Sequence, residues 1–208
     1  MGNIHLYADL QFASPYAMSV FVALHEKGLA FDMTTVDLGA GGQRAAGFAD
    51  LSLTRRVPTL VHDGFALSES SAITEYIDEV FEGPPLYPAQ PRGKARARQV
   101  QAWLRSDLMP LRQERPTEVL FYGARPPPLS AAAQEAATKL CAAAQALLQD
   151  DAEHLFDHWC IADVDLALML NRLILSGEPV PKRLKAYAAT QWQRPSVQLW
   201  VHQQRPPL

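Results

Sequence analysis

The 208-residue chain is 48% hydrophobic and 20% charged, the composition of a soluble globular protein, which excludes a disordered or fibrous one. Its formal net charge of −3 hides an asymmetry: residues 1–83 carry 4 Lys/Arg against 11 Asp/Glu, and the remainder carries 15 against 11. Such a split suggests either nucleic-acid binding or apposed domains of opposite sign, and the basic run Arg92, Lys94, Arg96, Arg98 is too short and too poor in interleaved aromatics for a nucleic-acid footprint.

Residues 4–8 read as a short buried strand. Phe12-Ala13-Ser14-Pro15 then looks like a helix entry, with Ser14 as N-cap and Pro15 as the first helical residue. That helix carries Met18, Val20, Phe21, Val22 and Leu24 and stops at Lys27-Gly28. Residues 31–36 read as a second strand, 39–42 as a glycine-bearing loop and 43–51 as a weak helix. Residues 57–61 and 65–67, joined by His62-Asp63-Gly64, have the turn chemistry of a β-hairpin. Ser68-Glu69-Ser70-Ser71 opens a further helix with Ala72, Ile73, Tyr76, Ile77 and Val80 on it. The order is β-α-β-α-β-β-α.

The chain holds 16 prolines, and the pair Pro84-Pro85 marks a linker over residues 84–91. No strand pattern follows it. Residues 93–122 carry helical apolar spacing, with Pro110 and Pro116 as bends or breaks. Pro126-Pro127-Pro128 separates this stretch from an Ala-rich helix over 130–149. Residues 162–176 are apolar enough for a central buried helix, and two shorter helices over 183–189 and 196–202 finish the chain. The pattern predicts three parts: an α/β domain over 1–83, the linker, and an all-α domain over 92–208.

Cys141 and Cys160 are the two cysteines and form no CxxC pair, so neither a disulfide framework nor a metal site is expected. A start without a basic-then-apolar signal region, and the lack of a bilayer-length apolar run, predict a cytoplasmic protein without membrane contact.

Three places can carry chemistry. Ser14 lies where unsatisfied N–H groups and a positive dipole end stabilise an anion, a thiolate included; local sequence alone favours a plain N-cap, since Ser is a preferred type there, and the phenol of Tyr7 is a competing donor. In Arg55-Arg56-Val57-Pro58 the X–Pro bond can be cis, and Val57 can pair with extended ligand backbone at a sheet edge; the pair can also simply begin a strand. Glu69 and Ser70 can hold an amino-acid head, the carboxylate taking the ammonium and the hydroxyl and helix end taking the carboxylate, or can serve only as caps.

Taken in order, Ser14-Pro15-Tyr16, Arg55-Arg56-Val57-Pro58, and Glu69-Ser70-Ser71-Ala72-Ile73 on the hairpin, followed by a linker and a helical half, resemble the glutathione S-transferases. The resemblance covers essentially the whole chain and is closest to bacterial serine-type members, the YfcF-type transferases in particular. It implies a thioredoxin-like domain followed by an α-helical bundle, usually as a homodimer, with glutathione as co-substrate and no metal.

By motif position the resemblance assigns Ser14 to activation of the glutathione sulfur and Val57, before a cis Pro58, to the cysteinyl backbone. Glu69 and Ser70 would take the γ-glutamyl head, Arg56 would lie near the tripeptide, and Arg44 would take the glycyl carboxylate. The activated thiolate would attack an electrophilic carbon, a peroxide or a disulfide. Arg98, Arg105 and Arg112, spaced by seven, lie near one helix face; that face is either solvated or brings Arg105 and Arg112 to the second substrate. Ser or Thr commonly stands three residues before the Asp that starts the family's buried helix; here Cys160 precedes Asp163, so the hydroxyl half of a capping box is expected to be missing. A non-catalytic interaction module on the same fold is the alternative reading.

Overall fold

Four strands make one mixed sheet in the order β2-β1-β3-β4. β1 (Ile4–Asp9) runs parallel to β2 (Asp32–Val36) and antiparallel to β3 (Thr59–His62), which pairs antiparallel with β4 (Phe65–Ser68). The structure, a computed structural model, describes residues 2–148 and 152–208. The register sets Leu6 between Met33 and Leu60, and Thr59 between Tyr7 and Ser68. These pairings put the C-terminal ends of β1, β2 and β4 and the N-terminal end of β3 at one end of the sheet. Every loop leaving that end faces the same region.

The parallel β1–β2 connection needs a crossover helix, supplied by α1 (Pro15–Glu26). Ser14 caps it, accepting from the Ala17 N–H at 3.2 Å, and Pro15 occupies the first turn, where its missing N–H costs nothing. Ala17 through Leu24 are all buried. The helix ends on Lys27, buried, whose ammonium pairs with Asp78 at 3.2 Å and donates to the Phe81 carbonyl at 2.9 Å; it thereby ties the end of α1 to the end of α3 (Ser70–Val80). Ser70, Ile73, Thr74 and Ile77 form the buried stripe of α3, at the i, i+3, i+4, i+7 spacing of one helical face. The weak helix expected over 43–51 is two pieces: a 3-10 turn at Gly42–Arg44, then α2 (Ala46–Leu51), divided by Ala45 in an extended conformation.

The described residues fall into two compact units. One comprises the chain up to Leu86 together with Gln198–Leu208, and the other is Tyr87–Val197. The sequence pattern assigns everything after residue 92 to the helical domain, whereas residues 198–208 group with the sheet. The reason is Trp200, fully buried, whose ring meets Phe12 edge-on at 5.5 Å and Phe21 at 5.2 Å. The proline-rich linker is well anchored in both units: the Leu86 N–H donates to Asp78 at 2.8 Å, and the Tyr87 hydroxyl to Gln101 at 2.8 Å.

The second unit is helical throughout its regular structure: α4 (Pro91–Ser106), α5 (Met109–Glu114), α6 (Glu118–Phe121), α7 (Ala131–Leu147), α8 (Ile161–Ile174) and α9 (Lys182–Trp192), with α10 (Pro195–Val201) running on into the last segment. The predicted break at Pro110 lies two residues earlier. Leu108 takes a left-handed conformation (φ 61°), and Asp107 accepts from the Leu108 N–H at 2.7 Å and the Trp103 indole at 2.9 Å. Pro110 then sits harmlessly in the first turn of α5. Of the Ala-rich helix, the predicted end at Gln149 lies outside the described residues.

α8 is the central helix, with twelve of its fourteen residues buried. Its capping box is present, contrary to the expectation from sequence: the Cys160 sulfur takes the hydroxyl's place on the Asp163 N–H, and the Asp163 carboxylate accepts from the Cys160 N–H at 2.9 Å. Asp163 also receives the Leu155 N–H and the Tyr187 hydroxyl, both at 2.8 Å. Among the described residues no helix is long and apolar enough to cross a membrane, and no cluster of three His, Cys, Asp or Glu side chains is arranged to hold a metal ion.

Candidate active site

Asp9 ends β1 and is almost wholly buried. Its carboxylate accepts from the Ala13 N–H at 2.7 Å and from the Ser14 N–H at 3.1 Å, folding residues 10–14 into a tight loop. Burial pushes the Asp9 pKa up, against the pull of the two backbone donors. Phe12, at φ 46°, makes the sharpest turn of this loop, and its N–H donates back to the Asp9 carbonyl at 3.0 Å. Ser14 emerges as the N-cap of α1. Its oxygen is occupied by the Ala17 N–H, which leaves the O–H to point to a ligand.

Ser14 opens onto a cleft of about 580 Å³ at the sheet end where the loops converge. Pro15 and Tyr16 line it from α1, Leu38, Gln43 and Arg44 from the β2–α2 segment, and Thr54 to Val57 from the segment entering β3. Ser14, Arg44, Arg56 and Val57, singled out from the sequence, are thus brought together on one wall. Val57 is followed by a cis peptide bond to Pro58. It lies before Thr59, the first residue of β3 in register with its neighbours, so its backbone stands beyond the ladder.

Glu69 and Ser70 lie at the start of α3 and do not line this cleft. Their place is nonetheless at the same sheet end, because Ser68 pairs with Thr59. Glu69 is exposed in a left-handed conformation (φ 74°) and Ser70 is buried. A non-glycine residue in that region is uncommon and is often held there for its side chain.

Tyr7 sits mid-strand, with its ring 4.7 Å from that of His5 and 5.6 Å from that of Phe48, and is absent from the cleft wall. In the helical unit, Arg105 pairs with Asp165 at 3.1 Å and donates to the Gln101 carbonyl at 2.9 Å. Arg112 donates to the Arg105 carbonyl at 2.7 Å. Both guanidinium groups therefore serve contacts inside their own unit.

The cleft also holds residues the sequence pattern did not single out. Gln43 and Thr54 present buried side-chain oxygens with no hydrogen-bond partner. Arg55, at φ 52°, adds a third arginine, and no carboxylate lines the wall. Arg55 adjoins Arg56 and was open to the same argument; Gln43 and Thr54 carry no local pattern that marks them. A helix N-terminus with a hydroxyl, three arginines and backbone beyond the β3 ladder make a place that favours an extended, anionic ligand.

The glutathione S-transferase N-terminal domain family matches residues 13–80, and the glutathione S-transferase C-terminal domain family matches residues 91–204. Glutathione transferase GST 23 of Zea mays is 41% identical over 92 residues, 42% of this chain and 39% of that protein. The chain thus matches about two fifths of such a relative's own length. Glutathione S-transferase theta-1 of Mus musculus is 28% identical over 184 residues, 85% of this chain and 76% of that protein. Among solved structures, a glutathione transferase homolog from Burkholderia gl BGR1, with bound glutathione, is 48% identical across 96% of both chains, with a TM-score of 0.78. The theta class enzyme of Xanthomonas axonopodis pv. citri, also with glutathione bound, shares the fold over 98% of this chain at 23% identity and a TM-score of 0.78.

Proposed function

The chain belongs to the glutathione S-transferase family, and from that we propose that it binds glutathione in the Ser14 cleft and activates its thiol. The observation that carries this reading is Ser14 itself: an N-cap hydroxyl whose oxygen is held by the Ala17 N–H, on the wall of a cleft with Arg44 and Arg56. Its O–H donates to the glutathione sulfur, and the N-terminus of α1 adds a positive field. Both favour the thiolate and lower the thiol pKa. Val57 pairs with the cysteinyl backbone, Arg44 takes the glycyl carboxylate, Arg56 lies near the tripeptide, and Glu69 and Ser70 take the γ-glutamyl head.

The thiolate then attacks a second substrate. With an electrophilic carbon, a C–S bond forms as the leaving group departs with its electron pair. With a hydroperoxide, two glutathiones are oxidised to the disulfide while the peroxide is reduced to alcohol and water. With a mixed disulfide, the thiolate displaces one sulfur as a new thiolate. Cys141 is half-buried and Cys160 buried, and burial raises both thiol pKa values, so glutathione is the reactive sulfur in each case. The enzyme works as a homodimer in the cytoplasm.

A turnover panel with glutathione and an aryl halide, a hydroperoxide or a mixed disulfide tests the reading. Activity lost in Ser14→Ala supports it. Activity that persists in Ser14→Ala and disappears in Tyr7→Phe moves the activating hydroxyl to Tyr7. A wild-type protein that shows neither heat nor thermal shift with glutathione is an interaction module instead.

A further inference from the structure

The loop carrying Ser14 is held from two directions. From inside the sheet, the Asp9 carboxylate takes the N–H groups of Ala13 and Ser14. From the far end of the sequence, Arg205 donates to the Phe12 carbonyl at 3.2 Å across a separation of 193 residues. The same guanidinium donates to the carbonyls of Trp200 at 2.8 Å, Val201 at 2.7 Å and Gln203 at 3.1 Å. It therefore closes the C-terminal end of α10, collects the carbonyls left over there, and extends the cluster to a fourth carbonyl in the Ser14 loop. The Trp200 ring, fully buried, packs edge-on against the Phe12 ring beside it.

Phe12 is a position where such fixing matters. A phenylalanine at φ 46° is strained and keeps that conformation only when its surroundings impose it. Besides its own N–H bond to the Asp9 carbonyl, Phe12 is held by the ring of Trp200 and the guanidinium of Arg205. Two residues further on, the same backbone sets the position of the Ser14 hydroxyl.

Resting on the reading of Ser14 as the activating hydroxyl, we infer that Arg205 is a positioning residue for catalysis, a clasp that fixes the Phe12 turn and with it the place of the Ser14 hydroxyl, so that residues 200–205 govern how strongly the protein activates the thiol.

Arg205→Gln and Arg205→Lys, in the full chain, test this. Three readouts are compared with wild type: amide hydrogen exchange at Ala13 and Ser14, ultraviolet thiolate absorbance of bound glutathione against pH, and kcat against KM for glutathione. In Arg205→Gln, exchange at Ala13 and Ser14 is expected to rise about tenfold or more as the loop opens locally. The thiol titration should move to higher pH, and kcat should fall about tenfold with KM for glutathione little changed. Arg205→Lys, which keeps the charge but gathers its donors on one nitrogen instead of a two-armed fork, should recover part of each. Wild-type exchange and thiol titration in a folded Arg205→Gln overturn the proposal, as does faster exchange without a titration shift. If wild type itself binds no glutathione, the functional reading falls, and exchange at Ala13 and Ser14 alone then decides whether the clasp exists. Should Arg205→Gln fail to fold, Trp200→Phe, which keeps the ring and loosens its fit on Phe12, must show the same ordered changes or the proposal fails.

Discussion

The Asp9 carboxylate accepts the Ser14 N–H at 3.1 Å, so the last residue of β1 holds the N-cap of α1, the helix that follows it: strand end and helix cap are joined by one bond. On the sheet side the loop between them is held by one buried acid whose charged form is disfavoured by its burial.

Asp9 makes stability depend on pH in a specific sense. Its folded pKa is raised above the ordinary carboxylate value of 3.8, chiefly by burial. Its contribution is therefore full below that value and is lost as pH rises through the raised pKa. The advantage of wild type over Asp9→Asn in urea unfolding should be largest in acid and shrink toward neutral pH. Asp9→Ala, which strips both N–H groups of their acceptor, should cost about 2 kcal/mol or more.

Ser14→Ala separates binding from activation. A hydrogen bond to a charged group is worth about 1.5–3 kcal/mol, so kcat/KM should fall about ten- to hundredfold. The loss should appear in kcat, with affinity for glutathione nearly kept, and the thiol titration should move to higher pH. The lost cap lowers stability by about 1 kcal/mol, which a melting curve reads independently.

Arg44→Ala and Arg56→Ala should do the reverse. Each removes charge from a cleft wall without carboxylates, so KM for glutathione should rise about five- to twentyfold with kcat little changed. Raising salt should narrow the gap between each variant and wild type.

The sheet half was open to sequence reasoning because its signals are local. Ser14-Pro15 starts a helix, Asp63-Gly64 turns a hairpin, and Val57-Pro58 enters a strand, each through its own backbone chemistry. What the sequence hid is tertiary. The break at Leu108 depends on Asp107 gathering the Trp103 indole, its neighbour's N–H and, at 2.5 Å, the Lys139 ammonium from α7. Gln43 and Thr54 reach the cleft through the paths of their loops. The grip of Arg205 on Phe12 spans nearly the whole chain and leaves no periodic trace. Cys160 shows the opposite limit, since a rule written for hydroxyls passed over a sulfur that fills the same place.

The capping box of α8 is a stability site, separable from chemistry. Asp163→Ala removes the acceptor of two backbone N–H groups and of the Tyr187 hydroxyl, all in buried surroundings, and should destabilise the chain by about 3 kcal/mol or more. Cys160→Ser, which supplies the stronger acceptor, should stay within about 1 kcal/mol of wild type. Chemical unfolding of the two variants, beside unchanged kcat in Cys160→Ser, checks both.

The sheet-bearing unit is discontinuous in sequence, and biosynthesis must respect that. Residues up to Leu86 leave the ribosome first, yet Phe12 and Phe21 receive the Trp200 ring, and Phe12 its Arg205 partner, only after the entire helical unit has been made. A nascent chain arrested before residue 200 holds every residue of the Ser14 cleft on an unfinished scaffold. Translation that stops before Trp200, or a cut that removes Trp200 and Arg205, thus yields a chain with its cleft residues all present and its Ser14 loop unfastened.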